Sequence, residues 1–225
     1  MLSLIIPTYN ERENVERMIP EIDSVLKNIK HEIIVVDDNS PDRTAEAALR
    51  LGNRYNVKVI RRAGKLGLSS AVVEGFQMAT GNFLGVMDAD FSHPLEKLPE
   101  MYNLLKTYDM VVGSRYVKGG DIENWPLKRR VISRGATLLA LPVTRLKDPM
   151  SGFFMIRRDV LGGAKLNTRG YKICLEVYAK GRPRRVKEIP YIFRDREAGS
   201  SKMNRKEIVN YFLHVLSLYG HSIRK

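Results

Sequence analysis

Two aspartates one residue apart, Asp88 and Asp90, follow an apolar run in the segment VMDADFSHP. In an extended segment, side chains two residues apart point to the same side, so both carboxylates are expected to project from one strand end. Carboxylates held this close raise one another's pKa unless a cation neutralises them. Oxygen ligands of this kind suit Mg²⁺ or Mn²⁺, which usually take one or two protein carboxylates and complete their coordination with phosphate oxygens.

A structural interpretation competes with the metal. Ser92 stands before Pro94 in the position of a helix cap, and an isolated D-x-D pattern is short and common. The place of the pair at the carboxyl end of a predicted strand favours the metal, because ligands of open α/β sheets bind outside these ends. Other polar residues are expected along the same edge, namely Pro7, Tyr9, Asn10, Glu11, Asp37, Asp38, Ser114 and Arg115.

A second acidic pair, Asp37 and Asp38, ends another predicted strand. Carboxylates at such a place can accept hydrogen bonds from ribose hydroxyls or a base edge, as in dinucleotide-binding folds. Alternatively, Asp38, Asn39 and Ser40 form a turn, with Ser40 capping the next helix. The glycine-rich segment GKLGLSSA has neither the P-loop nor the dinucleotide-binding spacing, which argues against kinase and hydride-transfer chemistry.

The elements that must position these residues alternate through the first half of the chain. Amphipathic helical patterns separate five predicted strands, which are LSLIIP, EIIVVDD, VKVIRR, NFLGVMDAD and DMVVGSR. Nearly continuous apolar strands separated by helices predict an α/β fold with a mainly parallel central sheet flanked by helices. The C-terminal third is expected to be a basic elaboration of the same domain.

The positive charge of this third indicates an anionic partner. The formal net charge of the chain is +13, which fits nucleic acid, an anionic membrane surface or phosphorylated small molecules. The segment PLKRRVISRGATLLAL predicts a helix with Arg129 and Ser133 on a polar face, and a solvated amphipathic helix has the same pattern. Together with Arg115 and residues 182–206, this helix indicates a phosphate-binding and membrane-facing surface. Nucleic acid is not expected, because no recognised motif and a single Trp are present.

These motifs together resemble those of the family 2 glycosyltransferases of GT-A fold, most closely the dolichyl-phosphate mannose synthases. The likeness spans nearly the whole chain and keeps motif order. It implies a Rossmann-like single domain over residues 1–225, in which residues 1–115 bind the nucleotide sugar and residues 116–225 supply acceptor-binding and C-terminal elements. The motifs are IIPTYNERENV, IIVVDDNSPDRT, GLSSAVVEGF, VMDADFSHP, VVGSRYVKGG, NWPLKRRVISRGA and DPMSGFFMIRR.

The resemblance also implies an activity, which is the metal-dependent, inverting transfer of mannose from GDP-mannose to dolichyl (polyprenyl) phosphate. The β-linked product would form at the cytoplasmic face of a membrane. A lipid phosphate is already anionic and needs no general base. Transfer to a hydroxyl stays open as an alternative and would need a carboxylate base, for which Asp148 is the nearest candidate. UDP-glucose also stays open as donor, because no motif separates guanine from uracil, and so does nucleotide-sugar binding without catalysis.

Membrane attachment is expected to be peripheral. The apolar stretch IVNYFLHVLSLYG is shorter than the ~20 residues that a membrane span needs. Many members of the resembled family continue past the equivalent of LYGHSIRK into hydrophobic membrane segments. A membrane-anchoring partner, the basic surface or further chain is therefore expected to bring this segment to the membrane.

Site residues follow from the resemblance by position. The catalytic set would be Asp88, Asp90 and Arg115. The metal, Mg²⁺ or Mn²⁺, would be held by Asp88 and Asp90, with Ser92 where some members have glutamine. The acceptor phosphate would meet Arg115, Arg129 and Ser133. The nucleotide sugar would meet Pro7, Tyr9, Glu11, Val36, Asp38, Asp88, Ala89, Asp90, Lys172, Arg196 and Lys202.

Overall fold

The computed structural model describes residues 1–123, 125–167, 172–194 and 211–219. The strands are β1 Leu2–Thr8, β2 His31–Asp37, β3 Val57–Arg61, β4 Phe83–Val86, β5 Met110–Ser114, β6 Asp121–Ile122, β7 Phe154–Arg157, β8 Val186–Pro190 and β9 Ile192–Phe193. The helices are α1 Arg12–Val25, α2 Thr44–Leu51, α3 Leu68–Met78, α4 Leu98–Leu104, α5 Leu127–Ala140 and α6 Ile173–Gly181. Short 3₁₀ helices cover Leu95–Lys97 and Arg158–Leu161, and residues 211–219 are helical.

Within the described ranges, seven strands form one sheet in the order β3-β2-β1-β4-β7-β5-β8. Strand β7 runs antiparallel to its neighbours β4 and β5, and the other neighbouring strands are parallel. A second sheet pairs β6 with β9. The predicted α/β fold with a mainly parallel central sheet is therefore confirmed.

The apolar pattern of the elements explains this layering. Strands β1 and β2 are almost wholly buried, because helices cover both faces of a parallel sheet. Helix α1 buries Val15, Met18, Ile19 and Ile22, whose spacing of three or four residues forms one face. Separate apolar clusters of buried residues lie on the two faces of the sheet.

The reversed strand β7 brings a further segment to the carboxyl ends of β4 and β5. Phe154 of β7 is in register with Val86 of β4 and with Val112 of β5. Because β7 runs the opposite way, the residues just before it lie where its neighbours end. Residues 148–152 thus join Asp88 and Arg115 at this edge, which we call the carboxyl edge.

Helix α2 begins later than the sequence indicates. The expected cap, Ser40, instead donates its hydroxyl to Asp37 Oδ1 at 2.5 Å. Arg43 has a left-handed backbone with φ of 65°. Asp42 accepts from the backbone NH of Thr44 at 3.0 Å, so the helix starts at Thr44. The prediction of Ser40 as a cap was wrong.

The helix at residues 211–219 packs against α5 and α6. Val215 and Leu218 lie in a buried cluster with Ala140 of α5 and Leu175 of α6. The Tyr211 hydroxyl donates to the carbonyl of Ala136 at 2.8 Å. The helix at residues 211–219 thereby packs on α5, the helix that was predicted to bind phosphate.

Candidate active site

The carboxyl edge gathers most of the residues that the sequence singled out. Strands β1, β2, β4 and β5 run parallel, so their carboxyl ends lie on the same side of the sheet. The segments that follow them begin at Tyr9, Asp38, Met87 and Arg115. The prediction that these segments share one edge is therefore confirmed.

The acidic pair lies beyond its strand rather than within it. Strand β4 ends at Val86, and the chain bends through the following residues, with Phe91 at a φ of 57°. The side chain of Asp88 is 34% exposed, and Asp90 accepts from the backbone NH of Ser92 at 3.1 Å. Regular strand alternation, which the sequence argument assumed, therefore does not set the directions of both carboxylates.

Ser92 does not cap a helix. Its residue is 3% exposed, and its hydroxyl oxygen is buried with no hydrogen-bond partner among the described residues. The following 3₁₀ helix at Leu95–Lys97 has Pro94 before it and no side-chain cap. The capping prediction was wrong. A buried polar atom without a protein partner is explained by strain or by a bound water, ligand or ion, and this one lies two residues from Asp90.

A glycine from the other side of the edge makes room beside Asp88. A Cβ atom at Gly152 would lie 3.2 and 3.3 Å from the two carboxylate oxygens of Asp88, which is a tight contact. Gly152 belongs to the segment that reversed strand β7 brings to this edge. Sequence reasoning placed this segment in a motif but gave Gly152 no part in the site.

The residues present fit a divalent cation of the Mg²⁺ or Mn²⁺ type. Among the described residues, no group of three or more His, Cys, Asp or Glu side chains could hold a metal ion by itself. Two carboxylates with one spare hydroxyl match a cation that obtains its other ligands from substrate phosphates. The predicted set of Asp88, Asp90 and Ser92 remains a proposal.

His93 is a buried residue that interacts with charged groups of the carboxyl edge, among them Asp88 and Arg115. The ring is 2% exposed, and its Nδ1 accepts from the backbone NH of Asp88 at 3.0 Å. Burial lowers its pKa below the usual range, and the charge of Arg115 adds to this, although Asp88 and other acids oppose it. The imidazole is therefore neutral at physiological pH. His93 belongs to the segment VMDADFSHP but was not among the predicted site residues.

The acid after β2 is bound to a residue that sequence reasoning missed. Asp38 forms a buried ion pair with Arg62 and accepts from the backbone NH of Gly67 at 2.9 Å. Arg62 also contacts Glu74 at 3.0 Å and donates to the Ser70 hydroxyl at 2.6 Å. A signal was present, since an arginine directly follows strand β3, which neighbours β2 in the sheet.

Asp37, the first residue of the acidic pair Asp37 and Asp38, has a structural role. Asp37 is fully buried and accepts from the Thr8 hydroxyl at 3.0 Å and from the backbone NH of Ser40 at 2.9 Å. Ser40 in turn accepts from the backbone NH of Asn10 at 2.9 Å. Asp37 thus joins the turns that follow β1 and β2. Of the residues predicted to form a turn, Asp38, Asn39 and Ser40, this network includes Ser40.

Residues after β1 offer a ring and a carboxylate. Tyr9 is 38% exposed, and the ammonium of Lys65 lies 3.7 Å from its ring centroid. Glu11 accepts from the Asn14 side chain at 2.6 Å. Pro7 lies within β1 itself and is partly buried. These three residues lie where a nucleoside was predicted, and their contact with it remains a proposal.

Two residues assigned to the nucleotide lie in the core. Val36 is fully buried, and Ala89 is 3% exposed. A contact with the nucleotide through either side chain does not fit this placement, which leaves only their backbone for that role. Both residues belong to apolar clusters on the faces of the sheet, so their side chains contribute to packing, and a backbone contact with the nucleotide remains a proposal.

Arg115 and Asp148 form a buried ion pair. Asp148 Oδ2 and Oδ1 accept from Arg115 Nε and Nη2, both at 2.7 Å, and Oδ2 also accepts from the Arg115 backbone NH at 3.0 Å. Burial opposes the charge of Arg115, but the hydrogen bonds and charge of Asp148 outweigh it and raise the pKa of the guanidinium. Asp148 is itself fully buried. A general base must reach the acceptor's proton, so the placement of Asp148 argues against that role.

An aromatic cluster surrounds this ion pair. Its members are His93, Trp125, Phe153, Tyr191 and Phe193, whose rings form a connected set of stacked and edge contacts. The guanidinium of Arg115 lies 5.5 Å from the Trp125 centroid and 5.6 Å from that of Phe193. Burial raises the pKa of the Tyr191 hydroxyl, so this group stays protonated at neutral pH.

Helix α5 adds a second arginine to the same ring. The guanidinium of Arg129 lies 3.9 Å from the Trp125 centroid, and the Trp125 Nε1 atom is buried with no hydrogen-bond partner among the described residues. Ser133 accepts from the Tyr116 hydroxyl at 2.8 Å. The structure therefore brings Arg115 and Arg129 together around one indole, with Ser133 one helical turn further on.

The remaining nucleotide assignments concern basic residues. Lys172 is partly buried and directly precedes α6. Arg196 and Lys202 lie outside the described residues. Their predicted closure over the donor remains a proposal.

The chain is similar to a known protein family and to two named mannosyltransferases. The model of glycosyl transferase family 2 matches residues 3–163. A dolichol-phosphate mannosyltransferase of Pyrococcus furiosus is 49% identical over 222 residues, and the match covers 96% of this chain and 63% of the relative. A dolichol-phosphate mannosyltransferase of Saccharomyces cerevisiae is 39% identical over 230 residues, with 96% of this chain and 86% of the relative covered. The chain thus spans less than two thirds of the archaeal relative.

A comparison with solved structures supports the fold. A mannosyltransferase of Pyrobaculum calidifontis in complex with GDP-Man and Mn²⁺ aligns with a TM-score of 0.66 and 17% sequence identity. The alignment covers 100% of this chain and 64% of that one. At this identity the likeness concerns the fold alone, which is the GT-A type that the sequence predicted.

Proposed function

Because the chain belongs to glycosyl transferase family 2, we propose that it transfers mannose from GDP-mannose to dolichyl (polyprenyl) phosphate. The observation that carries this proposal is the arrangement of the carboxyl edge. An acidic pair with a spare hydroxyl, Asp88, Asp90 and Ser92, lies on the same edge as two arginines that share the Trp125 ring. The names of the two relatives support the same reaction.

The acidic side would bind the donor. Asp88 and Asp90, with Ser92, would hold Mg²⁺ or Mn²⁺. When bound, such a cation supplies positive charge that neutralises the diphosphate leaving group. Asp38, held by Arg62 and Gly67, would accept hydrogen bonds from the nucleoside. Tyr9 would present its ring beside the nucleoside.

The basic side would bind the acceptor. Arg129 and the indole NH of Trp125 would donate hydrogen bonds to the lipid phosphate, and Ser133 would add its hydroxyl. Arg115 would contribute mainly charge, because Asp148 accepts from its Nε and Nη2 atoms. Charge-assisted hydrogen bonds of this kind suit phosphate oxygens.

The chemistry follows from this division. An anionic oxygen of the lipid phosphate attacks the anomeric carbon of mannose, while the bond from that carbon to the diphosphate oxygen breaks and GDP leaves. A single displacement inverts the anomeric centre, so the product is β-linked. The acceptor oxygen carries no proton at neutral pH. The reaction therefore needs no general base, in agreement with the engagement of Asp148 by Arg115.

An apolar surface supports attachment to a membrane. Helix α5 and the helix at residues 211–219 pack together. Exposed apolar residues of these helices, with Leu141 directly after α5, are Leu127, Val131, Leu138, Leu139, Leu141, Phe212, Leu213, Leu216 and Tyr219. None of the described helices has the length and apolar character to cross a bilayer. We place this surface on the cytoplasmic face, where anionic lipids attract basic segments. A membrane-anchoring partner could bind the same surface.

A donor panel tests the proposed function. The protein is incubated with Mn²⁺ or Mg²⁺, a polyprenyl phosphate and labelled GDP-mannose, UDP-glucose or other nucleotide sugars, and the label is followed into the organic phase. Label from GDP-mannose is the expected result. Transfer from UDP-glucose instead would overturn the proposed donor, and the absence of a lipid product with every donor would overturn the reaction.

A further inference from the structure

His93 makes two kinds of contact that point in different directions. Its Nδ1 accepts from the backbone NH of Asp88 at 3.0 Å, and its Nε2 lies 3.8 Å from Asp88 Oδ2. Its ring plane stacks on Phe153, with centroids 5.0 Å apart and 10° between the planes. The nitrogen atoms at the edge of the imidazole thus contact Asp88, and the face of the ring contacts the aromatic cluster.

Packing leaves little freedom for the imidazole. A Cβ at Gly152 would lie 3.4 Å from His93 Cε1. A Cβ at Gly113 of β5 would lie 2.5 Å from Phe153 Cδ1, so only glycine lets Phe153 occupy this place beneath the imidazole. The edges of Tyr191 and Phe193 close the remaining side, with centroids 5.7 and 6.3 Å from that of His93.

The aromatic cluster continues from His93 to the arginines. Phe193 lies 5.5 Å from Trp125 in an edge contact, and Trp125 carries Arg129 on its face at 3.9 Å. Phe193 also lies 5.6 Å from the Arg115 guanidinium. A continuous series of ring contacts therefore joins the backbone of Asp88 to the residues proposed for the acceptor phosphate.

We propose that His93 is a positioning residue that fixes Asp88 through its Nδ1 atom and, through its ring, holds the aromatic cluster that places Arg115 and Arg129. This inference rests on the proposed function, because it assigns the two ends to the metal and to the acceptor. The two contacts of His93, its hydrogen bond to Asp88 and its ring contact with the aromatic cluster, are therefore expected to have separate effects. The hydrogen bond should govern cation binding, and the ring should govern acceptor binding.

Two substitutions separate these contacts. His93→Asn keeps a hydrogen-bond acceptor near the Nδ1 position and removes the ring, whereas His93→Phe keeps a ring and leaves the Asp88 NH without its acceptor. Each variant is the matched control of the other. Both are checked for folding by circular dichroism and thermal unfolding.

The first readout is Mn²⁺ binding measured by electron paramagnetic resonance, with Mn²⁺ alone and with Mn²⁺ plus GDP. His93→Phe should weaken binding about 10- to 100-fold, the usual cost of losing a partner that orients a metal ligand, and His93→Asn should weaken it much less. Equal Mn²⁺ affinities in the two variants would contradict the proposal that the Nδ1 hydrogen bond fixes Asp88. This readout needs no turnover, so it stands apart from a failure of the proposed mannosyl transfer.

The second readout is the KM for polyprenyl phosphate, compared with the KM for the donor. His93→Asn should raise the acceptor KM more than the donor KM, and His93→Phe should do the reverse. An unchanged acceptor KM in His93→Asn would contradict the proposal that the ring of His93 holds the aromatic cluster. Should a His93 variant not fold, Phe193→Leu interrupts the same series without touching Asp88. It should raise the acceptor KM and leave Mn²⁺ affinity unchanged, and weakened Mn²⁺ binding would contradict the proposal.

Discussion

At the scale of single residues, the ion pair of Arg115 and Asp148 decides between two mechanisms. Asp148 is the nearest candidate that the sequence offered as a base for a hydroxyl acceptor, and in the structure it accepts two hydrogen bonds of 2.7 Å from the Arg115 side chain. Its backbone is held as well, since the NH of Asp148 donates to Glu188 at 3.0 Å. A carboxylate fixed in this way orients an arginine, and it stands apart from proton transfer.

Asp148→Asn should therefore act on stability first. The substitution leaves Arg115 buried without its counter-charge, which typically costs about 3 to 5 kcal/mol. Urea unfolding at pH 7 measures the loss. The control is Asp159→Asn, because Asp159 forms an exposed pair with Arg157 at 3.4 Å and surface pairs contribute about 1 kcal/mol at most. Unchanged stability with abolished turnover in Asp148→Asn would restore the role of base.

Arg129→Ala should weaken acceptor use selectively. A hydrogen bond to a charged group contributes about 1.5 to 3 kcal/mol, so the KM for polyprenyl phosphate should rise about 10- to 100-fold. The KM for the donor should stay near its wild-type value, because Arg129 lies on α5 against Trp125. Steady-state kinetics with each substrate varied in turn provide the measurement. Equal increases in both KM values would remove the assigned role.

At the scale of elements, patterns within one segment were predictable, whereas contacts between distant segments were not. Apolar runs located β1 to β5, because buried parallel strands are apolar on both faces. Strand β8 is an edge strand whose residues are mostly exposed or partly buried. It was not predicted, because it lacks an apolar run and lies in a basic stretch. The pairing of Asp38 with Arg62 depends on β2 and β3 lying side by side, so the position of Arg62 directly after β3 indicates this contact only when the strand order is known.

The amino ends of the strands contain a buried network that predicts a pH effect. Glu32 of β2 accepts from the Ser3 hydroxyl at 2.5 Å and from the Thr80 NH at 2.7 Å, and it pairs with Lys58 of β3 at 2.8 Å. Burial disfavours its charge, but these partners outweigh burial and lower its pKa from 4.5 to about 2. The stabilisation is therefore fully present above pH 4.5 and is lost as the pH falls through about 2.

Glu32→Gln should remove this stabilisation. We expect the free energy of unfolding at pH 7 to fall by about 2 kcal/mol. This figure already allows for solvent screening at the exposed end of Lys58. The difference between wild type and variant in urea unfolding should shrink as the pH is lowered from 4.5 towards 2. A difference that stays constant over this range would show that the charge of Glu32 is not its source.

At the scale of the whole molecule, acidic side chains lie in one region, and arginines with exposed apolar side chains lie in another. The sheet and its carboxyl edge place the acids, whereas α5 and the helix at residues 211–219 supply arginines and exposed apolar side chains. The net charge of +13 indicated an anionic partner without choosing one. The exposed leucines of α5, the helix that carries Arg129, favour a lipid phosphate at a membrane surface over a water-soluble phosphate.

Vesicle binding tests this division. The double variant Leu138→Ser and Leu213→Ser changes one exposed leucine on each helix, which are 64% and 57% exposed. It should reduce co-flotation with anionic phospholipid vesicles. The matched control is Leu49→Ser on α2, where the leucine is 59% exposed, and it should bind as the wild type does. Equal binding by all three proteins would exclude this apolar surface from membrane attachment.

The central claim, that the acidic pair holds a cation for transfer to a lipid phosphate, is tested most directly by one measurement. The rate at which label from GDP-mannose enters the organic phase with Mn²⁺ is compared for the wild type, Asp90→Asn and Asp23→Asn, each with and without EDTA. Asp23 lies on α1 with its side chain 44% exposed. We predict that EDTA abolishes transfer, that Asp90→Asn loses most of the activity while remaining folded, and that Asp23→Asn is as active as the wild type. Transfer that persists in EDTA, or in folded Asp90→Asn at the wild-type rate, would contradict the account.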